Sequence, residues 1–167
     1  MTVTAVRREP EALTLIVDAE FDASPERVWQ LWADPRQLER WWGPPSYPAT
    51  VTVHDLRRGG RVDYHLTGPD GYQPHGYWDV LEADPPHELV LRDGFADPDG
   101  TPNRDLPRNE ARVRIEEIGG GRSRMSIESH FPSTAAMEQM LAMGMAEGLS
   151  EAVGQIDAIL AGEPARA

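Results

Sequence analysis

Between Ser24 and Trp42 the sequence SPERVWQLWADPRQLERWW spells two helices, each too short to stand alone and each bearing tryptophan. Ser24 is a good N-cap, Pro25 suits the first helical position, and Val28, Leu31 and Trp32 share one face. Asp34 can cap a second helix, with Gln37 three residues on reaching back to it. Leu38, Trp41 and Trp42 then follow at helical spacing before the turn at Gly43. Isolated helices shorter than about 12–15 residues are marginal in water. These two therefore need a larger apolar surface to lie on, and a lid beside a cavity is what they predict.

The rest of the chain supplies that surface. Leu13 to Phe21 reads as the first strand, with Leu13, Leu15, Val17 and Ala19 on one face. After the turn GPPSYP at 43–48, Val51 and Val53 alternate with Thr50, Thr52 and His54, and Val62, Tyr64 and Leu66 alternate again. Gly59-Gly60 and Gly68-Pro69-Asp70-Gly71 are turn signals on either side of that strand. Further strands are predicted at Gly76 to Ala83, His87 to Asp93, Glu110 to Ile118 and Arg122 to Phe131, the last two joined through Gly119-Gly120-Gly121. From Ser133 to Ala161 the period becomes helical, with Met137, Met140, Leu141, Gly144, Met145, Gly148, Leu149, Ala152, Val153, Ile156, Ile159 and Leu160 in one stripe. The expectation is an α+β domain. A curved antiparallel β-sheet of about seven strands wraps a single long C-terminal α-helix, and two short helices follow strand 1. Residues 1–167 read as one domain with an ordered core of about 12–161 and a frayed tail from Gly162.

Composition narrows the function. A net charge of −12 argues against nucleic acid and anionic membrane surfaces as partners, since both require clustered cations. All sixteen cations are arginine, which fits a high-GC bacterial genome and leaves no lysine for Schiff-base chemistry. With no cysteine, disulfides and thiolate catalysis are excluded, and a reducing cytoplasm is the expected location. Nowhere do about eighteen apolar residues follow one another, so no membrane span is expected.

Among candidate site residues the aromatics dominate. Trp32, Trp41, Trp42, Tyr47, Tyr64, Tyr77, Trp78 and Phe95 form a large set for a chain with 7% aromatics; part of it is ordinary core and the rest is expected to line a cavity. Strand parity turns Tyr64 inward with Val62 and Leu66, and Trp78 inward with Val80, leaving His65, Tyr77 and Asp79 on the other face. Methionines in the helical stripe suit a pocket that accepts varied shapes, although such a stripe is more often plain core. Gly144 and Gly148 either bring the helix close to the sheet or leave volume open, each at roughly 1 kcal/mol of helix propensity.

The five histidines, at 54, 65, 75, 87 and 130, show no helical i, i+4 pair. Two can converge across strands, but surface or cavity-wall histidines are the expectation, with no metal and no cofactor. Asp93, beside Gly94 and Phe95, reads first as a turn-capping carboxylate. If it points into an apolar pocket instead, burial raises its pKa and makes it an acid or base. Arg112 and Arg114 fall on the solvent side by the parity of Val113 and Ile115.

Taken in order, SPERVWQLWADPRQLERWWGPPSYPA, GGRVDYHLTGPDG, GYWDVLEADPPHELVLRDGFAD and EGLSEAVGQIDAIL resemble the SRPBCC superfamily, the START or birch-pollen-allergen-like helix-grip proteins. The nearer likeness is to bacterial homologues of the heat-shock ATPase activator C-terminal domain. Eukaryotic activators carry a further N-terminal domain, whereas here about a dozen residues precede the expected first strand. The resemblance implies a helix-grip fold with an apolar cavity between sheet and helix. It does not imply one activity, because such folds host binders, co-chaperones and cyclases. The first expectation is therefore non-enzymatic binding of a hydrophobic small molecule by Trp32, Trp41, Trp42, Tyr64, Trp78, Phe95, Met137, Met140, Leu141, Gly144 and Gly148. A cyclase, hydrolase or lyase using Asp93 or His54 is the second, recognisable by two titratable groups within hydrogen-bond reach inside the cavity. A co-chaperone-like interaction module is the third, recognisable by an exposed apolar patch. A homodimer is compatible with all of them.

Overall fold

In the computed structural model, which describes residues 3–162, the elements run β1 (Val3–Glu9), β2 (Thr14–Phe21), α1 (Pro25–Ala33), α2 (Pro35–Leu38) and β3 (Ala49–His54). They continue with β4 (Arg61–Leu66), β5 (His75–Asp84), β6 (Glu88–Ala96), β7 (Asn109–Gly119) and β8 (Arg122–His130), then α3 (Thr134–Ala142), α4 (Met145–Gly154) and α5 (Ile156–Gly162). One antiparallel sheet holds all eight strands in the order β1-β2-β8-β7-β6-β5-β4-β3. The C-terminal helices and the short helices α1 and α2 pack on it, which is the expected α+β helix-grip arrangement.

Two expectations about extent are corrected. Regular structure is present well before residue 12, because β1 pairs with β2 from Val3↔Ala19 to Glu9↔Thr14. This eighth strand is an edge with mostly exposed side chains, so it lacks the apolar alternation that marks a strand in sequence. The stretch from Thr134 to Gly162 is three helices, not one. Gly144 takes φ 87°, a left-handed conformation that breaks the helical hydrogen-bond ladder, and serves as N-cap of α4. The tail beyond Gly162, expected to fray, lies outside the described residues.

The break divides the core. α3 buries Met137 and Met140 against Leu15 and Phe131, while α4 and α5 bury Ala152, Val153, Ile156 and Ile159 in the main cluster beneath the sheet. Strand β3 carries a third correction. A bulge between Val51 and Val53 shifts the register, so Val53 points outward at 46% exposure and His54 pairs with Val62 instead.

The lid forms as its caps predict. Ser24 Oγ accepts from the Arg27 N–H, Asp34 accepts from the Arg36 N–H, and Gln37 Nε2 donates to Asp34 Oδ2 at 3.2 Å. α2 ends at Leu38, and Trp41 and Trp42 occupy the turn that follows. Trp41 is wholly buried and donates from Nε1 to the Leu31 carbonyl at 2.9 Å, tying the turn to α1. From the other side Gln155 Nε2 donates to the carbonyl oxygens of Gly43 (2.7 Å) and Trp41 (3.2 Å), so the helical layer clamps the same turn.

Trp41→Ala should therefore lower the unfolding free energy by about 3–5 kcal/mol, the range for emptying a large aromatic site. Trp42, only partly buried, should lose less on the same truncation. Denaturant midpoints of the two variants at unchanged m-value check the order, and a larger loss at Trp42 would reverse it.

Candidate functional site

A cavity of about 190 Å³ lies between the sheet, α4 and the lid turn. Its volume is comparable with the roughly 150 Å³ apolar cavity that stays dry and admits benzene. The lid contributes Trp32 and Trp42, β4 contributes Tyr64, β6 Leu91 and Asp93, β7 Val113, β8 Ile127 and Ser129, and α4 Met145, Gly148, Leu149 and Ala152. A wider groove of about 680 Å³ runs elsewhere, between Arg92, Arg104, Arg108 and Phe131, but its wall is half polar. The smaller, largely apolar cavity is the better candidate for a specific small molecule.

Each lining residue has a local cause. Tyr64 faces inward with Val62 by strand alternation, and its cross-strand partner is Gly76. A side chain at 76 would occupy the position of the Tyr64 phenol, so this glycine lets the ring lie across β5 toward β6. There the Tyr64 hydroxyl donates to Asp93 Oδ1 at 3.3 Å. Asp93 is not the turn-capping carboxylate expected first. β6 runs on to Ala96 through the pairs Phe95↔Gly76 and Ala96↔His75, which leaves Asp93 inside the strand on the same face as Leu91. At Gly148 a Cβ would meet nothing within 4 Å, so this glycine leaves open volume and does not mark a close approach to the sheet.

The electrostatics of the cavity centre on Asp93. Burial in apolar surroundings pushes its carboxyl up from 3.8 to about 7, and the Tyr64 hydrogen bond offsets only part of that. Burial, followed by the neighbouring Asp93 charge, raises Tyr64 well above the ordinary phenol value, so it remains a hydrogen-bond donor. These two are the only ionisable side chains that line the cavity among the described residues.

The structure brings Trp32, Trp42, Tyr64, Gly148 and Asp93 together. It keeps the others apart. Trp41 and Trp78 stand behind the wall, Trp41 edge-on to Trp32 at 4.7 Å between ring centroids and Trp78 edge-on to Trp42 at 4.9 Å. Phe95, Met137, Met140 and Leu141 belong to the second cluster and do not line the cavity. His54 does not line the cavity; its Nε2 lies 2.9 Å from the Trp32 carbonyl oxygen and supports α1. His65 and His75 meet across β4 and β5 with ring centroids 5.0 Å apart, on the face opposite Tyr64. Burial and then the His75 charge hold His65 below the ordinary imidazole value. No group of three or more metal-ligating side chains occurs among the described residues.

Leu91, Val113, Ile127, Met145, Leu149 and Ala152 also line the wall and were not singled out as site residues from sequence. Met145, Leu149 and Ala152 stood in the helical stripe, but a stripe cannot tell a cavity wall from solid core.

A curved antiparallel sheet gripping C-terminal helices around an apolar cavity, with a tryptophan lid, defines a helix-grip protein of the SRPBCC superfamily. Residues 22–161 match the family described as Activator of Hsp90 ATPase homolog 1-like protein, and the chain belongs to it. It is similar to the protein Ms6760 from Mycobacterium smegmatis, with 48% identity, TM-score 0.88, and 98% of this chain and 99% of that one covered. A protein from Arthrobacter aurescens shares 47% identity at TM-score 0.92, with 99% and 95% covered. The AHSA1 protein from Silicibacter pomeroyi, at 20% identity, TM-score 0.71, and 89% and 97% covered, shares the fold. No curated protein matches the chain. No helix among the described residues is long and apolar enough to cross a membrane.

The raised Asp93 carboxyl has a consequence for stability. Its folded-state value of about 7 lies above the ordinary 3.8, so between these values the folded chain binds the extra proton and stability falls as pH rises. The penalty is absent below about pH 4 and complete above about pH 7. Asp93→Asn removes it while leaving an oxygen for Tyr64. The variant should exceed the parent by a few kcal/mol, as an order of magnitude, at about pH 8, with the gap closing by about pH 4. Denaturant titrations across that range check the sign, and a pH-independent gap would contradict it.

Proposed function

We propose that the chain binds a small, largely apolar molecule in the cavity between its sheet, α4 and the tryptophan lid. The open volume above Gly148, faced by Trp32, Trp42 and Leu91, carries this reading. Water gains little in a wall so poor in polar groups, whereas an apolar molecule gains roughly 25 cal/mol per Å² removed from water. The size admits about one ring system.

One observation favours a second reading. Tyr64 and Asp93 are two titratable groups within hydrogen-bond reach inside the cavity, and a carboxyl near pH 7 suits general acid–base catalysis. On that reading Asp93 exchanges a proton with the bound molecule while Tyr64 positions the carboxyl. Loss of turnover in Asp93→Asn with the molecule still bound would favour catalysis over simple binding. The family description favours a third reading, activation of an Hsp90-type ATPase. Its requirement is an apolar docking face, and the exposed large apolar residues Val6, Val53, Tyr72 and Met143 are scattered over β1, β3, a loop and the helix break. A rise in Hsp90 ATP turnover on adding the chain would favour that role.

Gly148→Leu tests the main reading. Space is free at this position, so the leucine should fill the cavity and leave the strands and α4 in place. Quenching of tryptophan fluorescence by an apolar aromatic probe should weaken at least about tenfold, a loss of 1.4 kcal/mol, with the far-ultraviolet spectrum unchanged. Undiminished probe binding would remove the cavity from consideration.

A further inference from the structure

We infer that the molecule this cavity accepts is a hydrophobic amine, an apolar body whose protonated nitrogen meets the Asp93 carboxylate. The inference rests on the small-molecule reading above and narrows it to a chemical class.

Among the described residues Asp93 is the only acidic side chain in the cavity wall, and it faces inward from the middle of a strand. Oδ1 accepts from Tyr64, whereas Oδ2 has no hydrogen-bond partner among the described residues. Asp93 is half-buried, and a carboxylate set in a largely apolar wall with few solvating groups favours a nearby counter-charge. Among the described residues the wall supplies none, since neither arginine nor histidine lines it. The neighbouring Arg92 is exposed, its side chain on the other face of β6. A cation brought by the ligand fills this vacancy. Tyr64 contacts the carboxylate and Trp32 and Trp42 share the same wall, and aromatic rings attract an ammonium group placed over their faces within about 6 Å. The whole chain, at −12, draws cations toward its surface before they reach the cavity.

Binding should then be coupled to a proton. The lid, β7, β8 and α4 bring no titratable side chain to the cavity, and β4 brings only Tyr64, which stays a neutral phenol. Asp93 is therefore the group that must ionise for an amine to pair with it. Below its raised value the carboxyl is protonated, and an ammonium group entering an apolar cavity without a partner is disfavoured.

Three probes of nearly equal shape test the inference: phenethylamine, phenethyl alcohol and propylbenzene, which end in an ammonium, a hydroxyl and a methyl group. Tryptophan fluorescence and calorimetry give their affinities. At about pH 8.5 the amine should bind about tenfold tighter than either neutral probe, and the preference should vanish near pH 5. Calorimetry at about pH 6 in buffers of different ionisation enthalpy should show release of close to one proton per amine bound. Asp93→Asn should abolish the amine's advantage, leaving it at or below the affinity of the neutral probes at every pH. If a neutral probe matches or beats the amine at high pH, or the preference survives in Asp93→Asn, the inference is overturned and the small-molecule reading stands. If none of the three binds, both fall together.

Discussion

The contact on which the rest of the molecule depends is the packing of four tryptophans between lid and sheet. Trp32 touches Trp41, Trp42 and Trp78, with ring centroids 4.7, 6.0 and 5.8 Å away, and Trp42 in turn meets Trp78 and Tyr64. Several of these meetings are edge-to-face, the arrangement the ring quadrupole favours. Because α1 and α2 are too short to be helical alone, their geometry is inherited from this cluster. Hydrogen bonds then fix the angles: the Trp32 indole N–H reaches the Met125 sulfur on β8, and that of Trp41 reaches back to Leu31. The buried Trp78 N–H interacts with the Tyr64 hydroxyl without meeting strict hydrogen-bond geometry. Within this cluster Trp42 contacts the other rings and also forms part of the cavity wall, so the element that stabilises the lid also shapes the site.

The helix break at Gly144 is the second determinant. A straight helix from residue 134 to residue 162 would carry α3 and α4 along one axis and present one continuous stripe to the sheet. The left-handed turn instead lets α3 and the first turn of α4 pack around Leu15 and Phe131, and leaves the rest of α4 to roof the cavity. The two glycines of the GxxxG pattern thus act differently. Gly144 supplies a backbone conformation that side-chain-bearing residues rarely adopt, and Gly148 supplies empty space.

Where local chemistry determines local structure, the sequence was readable. The caps at Ser24 and Asp34, the reach of Gln37, and the inward parity of Tyr64 and Trp78 all follow from side chains acting within a few residues. What was not readable depends on distant partners. β1 exists because β2 offers an edge, the β3 bulge because Val53 pairs with Asp63 after Val51 has paired with Tyr64, and the extension of β6 because β5 pairs with it as far as Ala96. For the site, strand parity singled out Tyr64, but assigning Asp93 to a turn hid its inward direction. Gly144 sat in phase with the apolar stripe, so periodicity alone could not show that it interrupts the helix.

Asp93 and Gly76 together are where this core departs from what stability alone would select. A leucine at 93 would continue the apolar face of Leu89 and Leu91, and it would remove a carboxyl whose ionisation the surroundings resist. A larger residue at 76 would give β5 a packed side chain, yet it would displace the Tyr64 ring and with it the hydrogen bond to Asp93. Both choices lower stability and both serve the same pair of atoms. Local inconsistency of this kind, in a chain whose other elements agree with one another, is the physical signature of a functional site. It directs attention to Asp93, which the proposed ligand would meet while filling the space above Gly148.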